Sequence, residues 1–233
     1  RLNRFGKEIR PDFIPFVDNC YGEFTEEREP TAVGIDFAAG SLIKNPGGGL
    51  APSGGYVVGK KELVEMAAAR MTAPGLGKEL GATFGLNRLI LQGFFLAPHV
   101  VGEALKGAVF AARILENWGF VTSPRWDEPR SDIIQAIRFD REQELLAFCE
   151  AVQAASPVDA FVRPVPGPMP GYEDAVIMAA GTFVQGASIE LSADAPVRPP
   201  YIGYLQGGLT YEHVKFAVLS FLDRLLGQPN RTV

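Results

Sequence analysis

Residues 15–24 read PFVDNCYGEF, residues 34–49 read GIDFAAGSLIKNPGGG and residues 53–61 read SGGYVVGKK. The fold turns on this stretch. Each piece is a short apolar run that ends in polar chemistry. Residues 13–17 stop at Asp18, residues 35–39 lead to Ser41 and Lys44, and residues 55–59 form a third run. Short apolar runs bounded by Gly and polar residues predict buried strands of an α/β sheet. Ligands of open α/β sheets sit beyond the carboxyl ends of the strands, which is where Asp18, Ser41 and Lys44 fall. Each also has a plainer reading. An Asp after a strand is a turn former or helix cap, a Ser before a glycine loop is a loop residue, and a Lys before Asn-Pro-Gly is a solvated charge.

Taken together, the residues resemble a known arrangement. Asp-x-x-Tyr, then Gly-x-Asp, then Ser-x-x-Lys and a glycine run is similar to the pyridoxal-phosphate enzymes of the aspartate aminotransferase fold (fold type I). Among these the chain resembles the methionine gamma-lyase and cystathionine lyase group, and within it the aluminium resistance proteins, which are carbon–sulfur lyases. The likeness extends through RPPY at 198–201 and YLQGGLTYEH at 204–213. It implies pyridoxal 5'-phosphate as cofactor, with Lys44 as the lysine that holds it and acts in catalysis. Asp18 would sit beside the pyridine nitrogen, Tyr21 would hydrogen-bond the ring hydroxyl, and Ser41 would contact the phosphate. Chemistry agrees: the cofactor is an electron sink only with its ring nitrogen protonated, which needs a neighbouring carboxylate. Ile43 departs from the pattern, which often has threonine there. Asp36 matches a family position and reads as structural, bonding nearby backbone groups. The resemblance also places Arg1 near the middle of a longer protein. That implies an α/β chain made of a partial large domain and an α+β C-terminal small domain.

Composition sets bounds. With 233 residues, 47% hydrophobic and 21% charged, the chain suits one or two globular domains. A net charge of −5 argues against a nucleic-acid partner and leaves no polybasic membrane patch. Two cysteines, Cys20 and Cys149, make no disulfide framework, which points to a reducing cytoplasm. Two histidines without Cys/His spacing give no metal site. No uninterrupted apolar run reaches spanning length.

Helices are predicted at 2–10, 60–70, 98–118, 142–155 and from Thr210 onward. Helical spacing also recurs at Leu86, Leu89 and Ile90. Leu63, Met66 and Ala67 form the apolar face of the second helix. Pro98 suits a first-turn position and Gly119 a helix stop. Asp140 can cap the fourth helix with Gln143 as capping-box partner, and Thr210 can cap the last. Strands are predicted at 120–122, 133–139, 176–178 and 187–191, with 199–201 extended. A boundary near Gly119 divides the chain into 1–118, the second half of a cofactor domain with its linking helix, and 119–233, the small domain.

Arg198 has two readings. The resemblance gives an arginine there that grips the substrate's α-carboxylate, which a planar guanidinium suits. The alternative is a surface arginine in a Pro-rich turn. Gly47–Gly49 lack the following Lys-Ser/Thr of a P-loop and read as a turn permitting close backbone approach. Cys20 reads as a small packing residue. Lys44 is expected to be partly buried and to point into a cavity shared with Asp18 and Ser41. The expected function is elimination of a thiol from a sulfur-containing amino acid. An aminotransferase and a non-catalytic fragment are the alternatives, and a homodimer or tetramer is expected by resemblance.

Overall fold

The computed structural model describes residues 2–79, 81 and 83–227. The described elements are α1 (Leu2–Ile9), β1 (Phe16–Asp18), β2 (Phe37–Ser41), β3 (Gly55–Gly59), α2 (Lys61–Met71), α3 (Asn87–Asn117), β4 (Val121–Ser123), β5 (Gln135–Phe139), α4 (Glu142–Ala154), β6 (Val176–Ala179), β7 (Ser192–Pro196), β8 (Tyr201–Gln206) and α5 (Tyr211–Leu226). The architecture is mixed α/β.

The first sheet has the order β1-β2-β3. β1 runs parallel to β2 with Asp18 opposite Ala39, and β3 runs antiparallel to β2 with Gly55 opposite Ser41. Parallel pairing brings the carboxyl ends of β1 and β2, Asp18 and Ser41, to the same edge. These strands are not the buried strands their apolar runs predict. Ala38 alone among them is buried, and Phe16 is 53% exposed.

The second sheet has the order β4-β5-β8-β7-β6, with every pairing antiparallel. Its alternation puts Ile137, Phe139, Ile177, Ala193, Ala195 and Leu205 inward against α4 and α5. At the centre, Phe120, Phe139, Phe148 and Phe221 pack with ring centroids 5.3–5.9 Å apart, mostly edge-to-face, a favoured aromatic geometry.

One helix joins the sheets. α3 is a single 31-residue helix with Pro98 inside it rather than in its first turn. Pro98 has no N–H to offer the preceding turn. Burial of Gly93, Ala97, Val100, Val101 and Ala104 on both sides of it carries the helix through. One 18-residue window of α3 has a mean hydropathy of 1.3, so the helix is long and apolar enough to cross a membrane. Here its buried residues pack against protein: Val100, Val101 and Ala104 with Ile133, Ile189 and Tyr21, and Ala111 and Leu115 in the core of the second sheet. α3 ends at Asn117, and its residues contribute to both cores.

Other expectations shift by local chemistry. Residues 188–191 are buried and Ala187 half-buried, but they are not a strand; β7 starts at Ser192. Arg141, not Asp140, is the N-cap of α4, and Glu144 reaches back to accept the Asp140 N–H at 3.3 Å. The expected capping box does not form, because the N-cap Arg141 makes no side-chain cap bond and Glu144 serves the Asp140 N–H instead. α2 buries no residue, and Met66 is 68% exposed. The Thr210 cap forms as expected, accepting the His213 N–H at 3.3 Å. Asp36 binds side chains rather than backbone, pairing with Lys7 at 2.8 Å and Lys60 at 2.9 Å and so tying α1 to the start of α2.

Three outcomes follow from this packing. Phe221→Ala empties the centre of the aromatic cluster and should lower unfolding free energy by about 3–5 kcal/mol in a denaturant titration. Gly93→Ala places a Cβ 2.1 Å from the Gly47 carbonyl oxygen, and overpacking of this kind should cost about 1–3 kcal/mol. The Lys7 hydrogen bond, then that of Lys60, holds the Asp36 carboxyl below its ordinary value of 3.8. That stabilisation is present above pH 3.8 and is lost as pH falls through the lower folded value. Asp36→Asn should therefore melt below wild type at neutral pH, and the gap should close in strong acid.

Candidate functional site at the carboxyl ends of β1 and β2

Asp18 is the last residue of β1 and is exposed. Its Oδ1 accepts the Cys20 N–H at 3.2 Å, which turns the chain out of the strand, as Asx residues do. The Asn19 N–H donates to the Ala39 carbonyl at 2.9 Å and prolongs the β1–β2 pairing. Ser41, the last residue of β2, donates its N–H to Cys20 Sγ at 3.3 Å. Burial pushes the Cys20 thiol up. The turn after β1 and the end of β2 are thus stitched together through Cys20, between Asp18 and Ser41.

Tyr21 follows. Its ring is half-buried beside the Val100–Val101–Ala104 face of α3. Its hydroxyl is buried without a hydrogen-bond partner, and burial, with Asp194 adding to it, pushes the phenol up. Lys44 lies three residues beyond β2 and is partly buried. Its Nζ stands over the Tyr21 ring, 4.1 Å from the centroid, within cation–π range. The structure therefore brings Asp18, Ser41, Tyr21 and Lys44 to one sheet edge. The ammonium is directed at the Tyr21 ring.

The Lys44 loop is fixed from three sides. Asn45 is fully buried, and its Nδ2 donates to the carbonyls of Tyr21 and Glu23, each at 2.9 Å. The Ile43 carbonyl accepts the Ile189 N–H at 3.2 Å, and the Ile189 carbonyl accepts the Gly208 N–H at 2.8 Å. Gly47 and Gly48 lie directly against Gly93 of α3. Asn45 was invisible as a site residue, because it reads as part of a solvated Lys-Asn-Pro-Gly loop. Its partners are 24 and 22 positions away in sequence.

Arg198 is not brought to this edge. It lies in the β7–β8 turn, and its Nε pairs with Asp174 at 3.1 Å, both side chains being exposed. The Lys44 loop meets the other end of that hairpin, at Ile189 and Gly208. At about 3.3 Å per residue, β8 puts the two ends roughly 15–20 Å apart. The surface reading of Arg198 is the one that its geometry supports.

A second polar cluster occupies the reverse face of β2. Gly40, which alternates with Ala39 and Ser41, faces Glu23 and Tyr56. Glu23 is 3% exposed; its Oε1 accepts the Tyr56 hydroxyl at 2.7 Å, and its Oε2 is buried without a partner. Burial pushes this carboxyl up. Asn19 Nδ2 donates to Glu29 at 2.9 Å beside it. A cavity of about 350 Å³ opens here, lined by Glu23, Tyr56, Asn19, Phe24, Val58 and Phe94.

Comparison with known proteins gives this geometry its context. The uncharacterized protein YnbB of Bacillus subtilis (strain 168) is 61% identical over 223 residues, covering 96% of this chain and 53% of that protein. The crystal structure of a carbon-sulfur lyase involved in aluminum resistance from Clostridium novyi NT is 56% identical. It superposes with a TM-score of 0.89 over 94% of this chain and 51% of that one. The chain thus spans about half the length of these relatives. Corynebacterium glutamicum metB, 16% identical with a TM-score of 0.56 over 90% of this chain and 55% of that one, shares the fold. A family model described as methionine gamma-lyase matches residues 2–226, and the chain belongs to that family.

Proposed function

We propose that the chain carries the lysine half of a pyridoxal-phosphate-dependent carbon–sulfur lyase site, acting on a sulfur-containing amino acid. The observation that carries the reading is Lys44 Nζ over the ring of Tyr21, whose hydroxyl is buried and has no partner. A buried hydroxyl left unpaired costs about 1–3 kcal/mol, and the ring hydroxyl of the cofactor is the partner that would relieve it. Asp18 and Ser41 at the same edge offer the carboxylate and the small hydroxyl that a pyridine nitrogen and a phosphate need. The donor set therefore fits the cofactor. The carbon-sulfur lyase relative at 56% identity supports the reaction class.

In this reading Lys44 holds the cofactor covalently, Asp18 keeps the proton on its ring nitrogen, Tyr21 donates to its ring hydroxyl and Ser41 contacts its phosphate. Bound pyridoxal phosphate supplies the electron sink for a carbanion at the substrate Cα. Lys44 Nζ, when free, takes the Cα proton as general base. Where the sulfur is on Cβ the carbon–sulfur bond then breaks; where it is on Cγ a Cβ proton is lost first; in both cases the sulfur leaves as a thiol after taking up a proton. Water converts the remaining unsaturated amine to an oxo acid and ammonia. Arg198, exposed and paired with Asp174, is given no part in this chain's own site. A homodimer or tetramer belongs to the same reading. The Asp18…Tyr21 spacing also suits an aminotransferase, which would yield an oxo acid without thiol and would transfer the amine to a second oxo acid.

The test combines trapping with turnover. Borohydride treatment in the presence of pyridoxal phosphate should leave a pyridoxyl mass on the peptide containing Lys44. L-Methionine, L-cysteine or L-cystathionine should release thiol or hydrogen sulfide together with ammonia. Lys44→Ala should remove the label and lower release by roughly 100- to 10,000-fold, the span of a lost general base, with the fold retained. Asp18→Asn should retain the label and lower turnover less completely. No release from any of the three substrates overturns the lyase assignment, and amino transfer in its place selects the aminotransferase.

A further inference from the structure

We propose that Asn45 is a positioning residue for Lys44, a clamp that locks the lysine loop to the Asp18–Tyr21 turn and so holds Nζ over the Tyr21 ring. The inference rests on the Lys44 reading above, but its observations are independent of any cofactor.

Asn45 is the next residue after Lys44, and its side chain is fully buried. Both Nδ2 hydrogens are used: one meets the Tyr21 carbonyl, the other the Glu23 carbonyl, each at 2.9 Å. One amide thus satisfies two carbonyls of a turn that is 22 and 24 residues earlier in the chain. The side chain accepts nothing in return, since Oδ1 is buried without a partner. Its placement is therefore set by its two donors. A side chain of the same shape that cannot donate, as aspartate cannot when ionised, would set a charge against both carbonyls.

The clamp closes on the group it would position. Tyr21 supplies one of the two carbonyls, and its ring is the surface under Lys44 Nζ. Lys44 and Asn45 are consecutive, so fixing the Asn45 side chain fixes the backbone from which Lys44 projects. The loop's other anchors act elsewhere: Ile43 bonds Ile189, and Gly47 and Gly48 abut α3. Neither touches the Asp18–Tyr21 turn. Losing the Asn45 donors would leave the loop on α3 and leave the turn tied to it only at its start, where Ser41 bonds Cys20, so that the side of the loop bearing Lys44 is no longer fixed against Tyr21.

The test needs a readout without cofactor. The protein, Asn45→Ala and Asn45→Asp are pulse-labelled with an amine-reactive reagent, and modification is mapped by mass spectrometry with Lys106 as internal reference. Labelling of Lys44 relative to Lys106 should rise several-fold in both variants at neutral pH, with far-ultraviolet circular dichroism unchanged. As pH falls, the carboxyl introduced by Asn45→Asp gains a proton and one donor. Its Lys44 labelling relative to wild type at the same pH should fall back, while that of Asn45→Ala should not. If Asn45→Ala fails to fold, the pH-dependent recovery of Asn45→Asp alone decides the matter. Borohydride trapping of pyridoxal phosphate on Lys44 should fall at least several-fold in the variants. Equal labelling of Lys44 in wild type and both variants overturns the clamp. Absence of trapping in the wild-type protein overturns the cofactor reading and leaves the labelling contrast as the measure of the clamp.

Discussion

The lysine loop and α3 touch backbone to backbone, and no side chain fits between them. A Cβ on Gly93 would lie 2.1 Å from the Gly47 oxygen, and one on Gly48 would lie 2.4 Å from the Gly93 oxygen. Gly48 also has a φ of 51°, a left-handed conformation that glycine adopts without cost. This contact makes the rest of the arrangement rigid. α3 continues from it into the core of the second sheet through Ala111 and Leu115. Gly107 lets α5 approach closely enough for Val214 to pack on the helix. The two sheets are thus referred to one rod, and the lysine loop is pinned to that rod at its first turns.

The second sheet also reaches the loop directly. Ile189 donates to the Ile43 carbonyl and accepts from Gly208, so the segment before β7 acts as a strap from the end of β8 to the residue before Lys44. This explains the burial of residues 188–191 without a strand. Ile189 and Leu191 serve a crossing between sheets, where the backbone of Ile189 bonds two different partners. Interior packing of this density transmits displacement rather than absorbing it. A shift in α3 or in the β7–β8 hairpin is therefore felt at Lys44.

What could be read in the sequence was local. α5 and its Thr210 cap, α2, and the glycine-bounded runs that became β1, β2 and β3 all follow from spacing and neighbouring residue types. What could not be read was set by distant partners. Pro98 looks like a helix start, but buried residues on either side of it override a missing N–H. The capping box expected between Asp140 and Gln143 is absent: the helix starts one residue later, at Arg141, and Glu144, which also pairs with Arg141, takes the Asp140 N–H instead. Asp18, Tyr21, Ser41 and Lys44 were legible only as a spacing pattern matching a known family. Asn45 and Glu23 were not legible at all, because their partners, two carbonyls of the turn after β1 and the Tyr56 hydroxyl on β3, are distant in sequence. Arg198 was drawn to the site by sequence likeness, and its turn lies at the far end of the hairpin.

The way Lys44 is held bears on what it can do. Among the described residues it makes no ion pair, although Glu23 is buried nearby on the reverse face of the sheet. Glu23 takes its hydrogen bond from Tyr56 instead. A lysine committed to a buried carboxylate would be held by a charge-assisted hydrogen bond, and such bonds are roughly twice as strong as neutral ones. Breaking it would leave an unpaired buried charge. The face of an aromatic ring attracts an ammonium by about 0.5–2 kcal/mol, and the attraction vanishes with the charge and leaves no orphan behind. Tyr21 therefore orients the lysine through its ring face alone. Under the function proposed above, in which Lys44 serves as a neutral base, such a surface holds the side chain without an ion pair that must first be broken.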